Sequence, residues 1–354
     1  MRNMRIRHAA LALLPFALAC ASKPAPQPPP PAPAPPPSAA EYAQSGLTVV
    51  LDADIVLNDS SRNRDISVRV TYPDGPGPFP VIVFSHGAGG SPRTYDTLAR
   101  FWATHDFVVL APDHADSGGA AGKDPAAESA REPAGDAAAD PKGWETRERD
   151  LAFVAAATGA VEARVPALKG KLDEARVGMG GQSYGAFAAM LVAGATVEVS
   201  KKPKSFADPI PKAFLLISPP GKGQQGLTER SWAEVTRPLM VITGTRDLGS
   251  KNQDPSWRLD SYQLSPAGGK YAVFIEGASH LSFTGLSAEP GAALPKVGAK
   301  KTTADAEVAI FKDVRIATLA FWQTYLKDDA KAKAFLQTDA LMTESGNQAQ
   351  LLRR

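Results

Sequence analysis

The segment GGQSYGAF, residues 180–187, places Ser183 between two glycines. An apolar run precedes it and an alanine-rich stretch follows, which is the setting in which a sharp strand-to-helix turn exposes a serine hydroxyl. A serine hydroxyl is a weak nucleophile at neutral pH, so it needs a base within hydrogen-bond reach and an acid that orients the base. By itself the pattern also fits an ordinary glycine turn. The chemistry therefore depends on whether a histidine and a carboxylate follow other strands.

One histidine and one aspartate meet that condition. His280 follows the apolar run YAVFIEG and is the only histidine C-terminal to Ser183. Asp247 follows the apolar run LMVITG. Groups at the carboxyl ends of strands gather at one edge of an open α/β sheet. The order along the chain predicts a nucleophile, an acid and a base, and the reaction that they suit is acyl transfer to water.

A glycine-rich turn supplies candidates for an oxyanion hole. The segment SHGAGG, residues 85–90, follows the apolar run VIVF, and its glycines allow backbone N–H groups to face a developing negative charge. The predicted donors are the amides of Ala88 and of Tyr184, the residue after the nucleophile. His86 is interpreted as a structural residue of this turn. A glycine turn without any catalytic role is the alternative.

Other ionisable residues allow different interpretations. Asp254 and Asp260 also follow the LMVITG run and are alternative acids. Asp113, His114 and Asp116 cluster in PDHAD, and one histidine with two carboxylates can bind a cation. No second histidine stands at ligand spacing, so no metal site is predicted there.

The composition excludes several classes of protein. The 354 residues are 44% hydrophobic and 21% charged, with 39 basic and 37 acidic side chains. No basic stripe with interleaved aromatic residues occurs, which argues against nucleic acid as a partner. The balance also argues against membrane binding by charge alone. Neither a GxGxxG turn after a strand nor a P-loop lysine is present, and no cofactor is predicted.

The N-terminus predicts export and a lipid anchor. Residues 1–19 begin with the basic MRNMRIRH and continue with the apolar AALALLPFALA, which is typical of a signal peptide. Cys20, the only cysteine of the chain, follows at once. The ending FALAC resembles the lipobox of bacterial lipoproteins, and the resemblance implies a lipidated Cys20 that anchors the exported chain to a membrane of the cell envelope. Ordinary cleavage, for example after Ala21, is the alternative.

A proline-rich linker separates the anchor from one domain. Residues 24–37 contain ten prolines and cannot form a packed core. Polyproline II geometry makes such a segment a semi-rigid spacer. The boundaries are a linker at 20–40 and a single domain at 41–354.

The folded part alternates apolar runs with helical patterns. Eight strands are predicted, at 47–57, 64–72, 81–85, 107–112, 175–180, 213–218, 239–244 and 271–277. Helices are predicted at 95–105, 144–165, 183–195 and 306–327, and an irregular loop at 115–143. This alternation indicates an α/β fold with a mostly parallel eight-stranded sheet and helices on both faces. No large insertion follows the sixth strand, so the cap is small or absent.

These motifs resemble those of the α/β-hydrolase superfamily over residues 47–327. Within it, the segment FSHGAGGSPRTYDTLARFWATHDFVVLAPDHADS is similar to dienelactone-hydrolase-like and platelet-activating-factor-acetylhydrolase-like esterases. The segment RDLAFV, residues 149–154, is similar to their helix before the nucleophile strand. The resemblance implies a serine carboxylesterase but does not identify its substrate. The small or absent cap indicates an open site, and hence a small-molecule ester of short or medium chain length.

The chain also departs from these relatives. Dienelactone hydrolases use a cysteine nucleophile, and Cys20 cannot serve as one because it lies at the anchor. Some acetylhydrolases carry the acid after the sixth strand, where ISPPG, residues 217–221, has no carboxylate. The alternative from another functional class is a surface lipoprotein that keeps the fold as a non-catalytic binding module.

Overall fold

A computed structural model describes residues 38–46, 48–116, 140–288, 296–297, 300–301 and 303–354. The predicted signal peptide and Cys20 lie outside this range, as do residues 117–139 of the predicted loop. The first helix begins at Ala39, inside the predicted linker, and its Ala39 and Tyr42 side chains are buried.

Among the residues that the structure describes, the central sheet has nine strands rather than the predicted eight. Its strands are β1 (Val50–Asp59), β2 (Arg64–Pro73), β3 (Phe79–Ser85), β4 (Val108–Pro112), β5 (Leu172–Gln182), β8 (Ala213–Ile217), β9 (Leu239–Arg246), β10 (Lys270–Ser279) and β13 (Ala349–Arg353). Among the described residues, two short hairpins form sheets of their own: β6 (Val197–Val199) with β7 (Lys202–Lys204), and β11 (Lys296–Val297) with β12 (Lys300–Lys301).

The strand order of the central sheet is β1-β2-β4-β3-β5-β8-β9-β10-β13. The pairs from β4 through β3, β5, β8 and β9 to β10 are parallel. The β1–β2 hairpin joins β4 in antiparallel fashion at one edge, as predicted, and β13 pairs antiparallel with β10 at the other. The predicted α/β class and mostly parallel sheet are confirmed, and β13 is the strand that the sequence patterns missed.

Helices cover both faces of the sheet. They are α1 (Ala39–Ala43), α2 (Asp96–Ala103), α3 (Pro141–Ala156), α4 (Thr158–Arg164), α5 (Tyr184–Ala193), α6 (Asp260–Gln263), α7 (Ala304–Leu326), α8 (Ala330–Phe335) and α9 (Ala340–Glu344). Short 3₁₀ helices occur at Pro166–Leu168, Pro255–Leu259, Ser282–Thr284 and Leu286–Ala288. The predicted single helix at 144–165 is wrong, because the chain breaks into α3 and α4 beside Thr158 and Gly159, two poor helix formers.

Alternate residues of each strand feed two separate cores. In β3, Val81 and Val83 pack with α3 and α5 on one face, whereas Ile82 and Phe84 pack with α2 and α7 on the other. This period of two is what a strand buried on both sides requires. Within the described residues, no helix combines the length and apolar character needed to cross a bilayer.

The parallel strands bring their carboxyl ends to one edge. β3, β5, β8, β9 and β10 are consecutive neighbours there. The turns that follow β5, β9 and β10 carry the three residues predicted to form a catalytic triad. Between β8 and β9, residues 218–238 contain neither a helix nor a strand, in line with the predicted small or absent cap.

Candidate active site

Ser183 lies at a sharp turn between β5 and α5. Its backbone is left-handed, with φ 54° and ψ −116°, which is strained for a residue that has a Cβ. A Cβ on Gly181 would lie 2.4 Å from the carbonyl carbon of Gly185, and one on Gly185 would lie 2.1 Å from the Ser85 carbonyl oxygen. Both glycines are therefore required by close backbone approach. Strain of this kind is typical of a functional serine.

Asp247 and His280 form a hydrogen-bonded pair. The Nδ1 atom of His280 lies 2.8 Å from the Oδ1 atom of Asp247. Asp247 follows β9 and is fully buried, whereas the His280 side chain follows β10 and is 26% exposed. A carboxylate can only accept, so Nδ1 carries the proton and Nε2 is unprotonated, with a lone pair that can accept a hydrogen bond. This is the tautomer that a general base needs.

The Asp247 carboxylate is fully surrounded by donors. Oδ2 accepts from Ser218 Oγ at 2.5 Å and from Thr243 Oγ1 at 2.8 Å, and Oδ1 lies 2.9 Å from Arg258 Nε. Burial alone would raise the pKa of Asp247, but the charges of Arg258 and His280 and these hydrogen bonds hold it below its usual value. Asp247 therefore stays ionised at neutral pH.

The alternative acids have other contacts. Asp254 accepts from the Ser256 amide at the start of a 3₁₀ helix, and Asp260 accepts from the Lys222 amide at 2.8 Å. Neither carboxylate contacts His280 in the part of the chain that the structure describes. Of the three candidate aspartates, Asp247 is the one placed against the histidine.

Gln182, which the sequence reasoning missed, contacts the Nε2 atom of His280, on the side of the imidazole away from Asp247. Its Nε2 atom lies 3.0 Å from His280 Nε2 and 3.3 Å from the His280 carbonyl oxygen. Among the described residues, Ser183 Oγ has no hydrogen-bond partner. The structure therefore joins the predicted base to the predicted acid but does not join the predicted nucleophile to the base.

The predicted oxyanion turn packs against Ser183. A Cβ on Gly87 would lie 3.7 Å from Ser183 Cβ and 2.6 Å from Gln182 Oε1. Ala88 is buried in this turn, and Tyr184 is the first residue of α5, where backbone N–H groups lack intrahelical partners. The two candidate donors therefore lie on segments that touch each other.

His86 has the structural environment that was expected of it. Its Nδ1 atom donates to the Gly87 carbonyl oxygen at 2.6 Å, and its side chain is buried. Burial, followed by the charge of Arg147, lowers the pKa of His86 well below its usual value. His86 is therefore neutral at pH 7.

A second Ser–His–Asp set includes Ser85, the first residue of the SHGAGG turn. His114 Nε2 is 2.9 Å from Ser85 Oγ, and His114 Nδ1 is 3.2 Å from Asp150 Oδ2. All three residues are buried. Asp150 also accepts from Arg62 at 2.8 Å and from Arg64 at 3.0 Å. We name Ser85, His114 and Asp150 the buried set; the sequence reasoning did not find it.

His114 and Asp116 of the PDHAD segment contact different partners. His114 contacts Asp150 as described, and Asp116 accepts two hydrogen bonds from Arg147, at 3.0 and 2.9 Å. Within the described residues no group of three or more potential ligands is arranged to hold a metal ion.

Comparisons with known proteins bear on the fold and on the chemistry. The family model described as Chlorophyllase matches residues 41–132. Platelet-activating factor acetylhydrolase from Cavia porcellus is 25% identical over 288 residues, which cover 75% of this chain. The match spans 61% of the length of that relative.

Proposed function

We propose that this chain, which has a mostly parallel α/β sheet and is similar to platelet-activating factor acetylhydrolase, is a serine carboxylic-ester hydrolase. Its substrates are esters of short or medium chain length, and it acts through an acyl-enzyme. The observation that carries the proposal is the strained Ser183 elbow at the same sheet edge as the hydrogen-bonded Asp247–His280 pair. The matched family model, Chlorophyllase, and the matched relative, platelet-activating factor acetylhydrolase, also favour ester hydrolysis.

Acylation begins when His280 Nε2 takes the Ser183 Oγ proton. The oxygen then forms a bond to the ester carbonyl carbon, and the carbonyl π electrons move to its oxygen. The amides of Ala88 and Tyr184 donate to that oxyanion, while Asp247 stabilises the imidazolium. Collapse of the intermediate breaks the bond to the alkoxide, which leaves with the proton from His280. The Gln182 amide must move off His280 Nε2 before this sequence starts.

Deacylation repeats these steps with water. His280 Nε2 takes a proton from water as the water oxygen attacks the acyl carbon, and the acid product leaves when Ser183 Oγ regains the proton from His280. No step consumes a cofactor. The absence of helix and strand in residues 218–238 favours an open site, and hence small acyl groups.

The test is hydrolysis of a series of p-nitrophenyl esters from acetate to palmitate. We expect activity with the shorter members, and Ser183→Ala is expected to lower kcat by at least about 10⁴-fold. The exposed Ser205 provides a matched control, and Ser205→Ala is expected to retain the wild-type rate. Full activity in the Ser183→Ala protein would overturn the proposal.

One observation favours the alternative of a non-catalytic binding module. Gln182 holds His280 Nε2, and Ser183 Oγ makes no hydrogen bond to it among the described residues. A fluorophosphonate probe distinguishes the two functions, because it reacts only with an activated serine. A folded protein that stays unlabelled would support the binding module.

We further propose a lipid anchor at Cys20, on the basis of the FALAC segment and the proline-rich linker that follows. The linker would hold the domain away from a membrane of the cell envelope. Labelling of cells with a clickable fatty acid, followed by membrane fractionation, tests this proposal. The Cys20→Ser variant should lose both the label and the membrane association, and retention of both would contradict the anchor.

A further inference from the structure

A buried arginine holds the turn that carries one predicted oxyanion donor. Arg147 lies on α3, and its side chain is 2% exposed. Nη1 donates to the His86 carbonyl oxygen at 2.5 Å and to Ser85 Oγ at 3.2 Å. Nη2 donates to the Gly87 carbonyl oxygen at 3.1 Å. One guanidinium therefore binds two successive carbonyl groups of the turn.

These contacts determine where the Ala88 amide points. The Gly87 carbonyl and the Ala88 N–H belong to the same planar trans peptide, in which the two groups point in opposite directions. Arg147 and the His86 Nδ1 atom both donate to the Gly87 carbonyl, so the N–H is directed away from them. The turn packs against Ser183, because a Cβ on Gly87 would lie 3.7 Å from Ser183 Cβ.

The same arginine also packs on the residue that carries the second donor. The Arg147 Cζ atom lies 4.4 Å from the centroid of the Tyr184 ring, a cation–π contact in a buried environment. Tyr184 directly follows Ser183. Arg147 is thus in contact with both segments that supply the predicted oxyanion amides.

Arg147 is itself held by Asp116 along the adjacent Nε–Nη2 edge of its guanidinium. Asp116 Oδ1 accepts from Nε at 3.0 Å, and Asp116 Oδ2 accepts from Nη2 at 2.9 Å. A bidentate pair of this kind restrains both the position and the plane of the guanidinium. A lysine has no planar fork and cannot make these contacts at once.

We propose that Arg147 is a positioning residue that aligns the Ala88 and Tyr184 amides with the developing oxyanion. It acts through the turn and through the Tyr184 ring and does not touch the substrate. The inference rests on the proposed function. Because an oxyanion hole acts on the transition state more than on the bound ester, its misalignment lowers kcat rather than raising KM.

Arg237 offers a matched control away from the site. Its guanidinium donates to the carbonyl oxygens of Asp208, Pro211 and Val192, and it lies 4.7 Å from the centroid of the Phe214 ring. Arg237→Lys therefore disturbs carbonyl hydrogen bonds and a cation–π contact, as Arg147→Lys does, but no ion pair with Asp116.

The experiment measures kcat and KM per active site, with the site concentration titrated by a fluorophosphonate. For Arg147→Lys we expect kcat to fall about 10- to 100-fold, with KM within about threefold of wild type. The inhibition constant of an alkyl boronic acid, which forms a tetrahedral anion on the serine, should rise in parallel. Arg237→Lys should lower at most the fraction of titratable sites. Asp116→Asn, which frees the other edge of Arg147, should lower kcat about three- to tenfold and serves if Arg147→Lys does not fold.

The outcomes separate this inference from the proposed function. Wild-type protein that neither hydrolyses esters nor reacts with the probe would overturn the proposed function and the inference with it. An active wild type whose Arg147→Lys and Asp116→Asn variants keep kcat per titrated site would overturn the inference alone. The same holds if Arg147→Lys raises KM without lowering kcat.

Discussion

The described part of the chain contains two Ser–His–Asp sets, and their hydrogen bonds alone do not identify the reactive one. In the buried set, Ser85, His114 and Asp150 are linked in a continuous chain of hydrogen bonds. At the candidate active site, the His280–Asp247 bond is present, whereas Ser183 is not bonded to His280.

The two sets differ in exposure and in backbone conformation. The His114 side chain is 0% exposed and that of His280 is 26% exposed. Ser85 ends a regular strand and its hydroxyl oxygen already accepts from Arg147, whereas Ser183 has a left-handed backbone at an elbow. A nucleophile must reach a substrate, so access and backbone geometry decide which serine reacts, and a complete hydrogen-bond chain does not.

The largest expected difference in kcat is between the Asp247→Asn and Asp150→Asn variants. Asp247→Asn should lower kcat about 10³- to 10⁴-fold, because the amide favours the wrong His280 tautomer. Asp150→Asn should change kcat less than about tenfold but destabilise the fold by about 1–3 kcal/mol, because it weakens the buried hydrogen bonds with Arg62 and Arg64. Ester kinetics and urea unfolding of both variants measure the contrast. The reverse pattern would make the buried set the catalytic one.

The stability of the protein is expected to depend on pH through Glu148, which lies on α3. Burial raises the pKa of Glu148 to about 7, from a usual value of 4.5. The folded protein then keeps a proton that the unfolded chain loses, so Glu148 lowers stability as pH rises from 4.5 to 7. Glu148→Gln should become more stable relative to wild type over that interval, by up to a few kcal/mol. Urea unfolding from pH 4.5 to 8 measures this difference.

Glu145 is the control of opposite sign on the same helix. The hydrogen bond from Lys204 lowers the pKa of Glu145, so its contribution to stability is present above pH 4.5 and is lost as pH falls below that value. Glu145→Gln should be slightly less stable than wild type at pH 7, and the deficit should close in acid. A Glu148→Gln difference that does not vary with pH would contradict the burial argument.

Ser85→Ala tests whether Ser85 has a structural role and Ser183 the catalytic one. The change removes an acceptor from Arg147 and a donor to His114, and it should cost about 1–3 kcal/mol of stability. We expect kcat to stay within about tenfold of wild type. Thermal unfolding and ester kinetics measure both effects, and loss of activity as complete as in Ser183→Ala would refute the assignment of roles.

Gln182→Ala should have the smallest effect of these variants, and it should increase the reactivity of Ser183. Its amide holds His280 Nε2, and removing a hydrogen bond of about 0.5–1.5 kcal/mol should let Ser183 engage the histidine more often. The rate of fluorophosphonate labelling should rise by about two- to tenfold. A lower rate would mean that Gln182 supports the histidine instead of competing for it.

The sequence predicts much of the fold because long apolar runs define the buried strands. The same runs place Ser183, Asp247 and His280 at strand ends, and parallel pairing then gathers them at one edge. β13 escaped prediction because it pairs at the sheet edge and only Ala349 and Leu351 of its five residues are buried. The break between α3 and α4 depends on two weak helix formers within a long helical pattern.

The contacts around the site could not be predicted in the same way. Arg258 reaches the Asp247 carboxylate, and Arg147 reaches His86 across 61 positions of the chain. Such contacts depend on how loops and helices pack, and no local pattern encodes them. Gln182 lies within the GxSxG segment, but its rotamer follows from the position of His280.

The position of the fluorophosphonate adduct identifies the nucleophilic serine directly. Tryptic cleavage separates Ser183 from Ser85, because Arg93 and Arg176 lie between them. Mass spectrometry of the labelled protein should find the adduct on the peptide that contains Ser183, and none on the peptide that contains Ser85. An adduct on Ser85, or a folded and unlabelled protein, would contradict the assignment of Ser183 as the nucleophile.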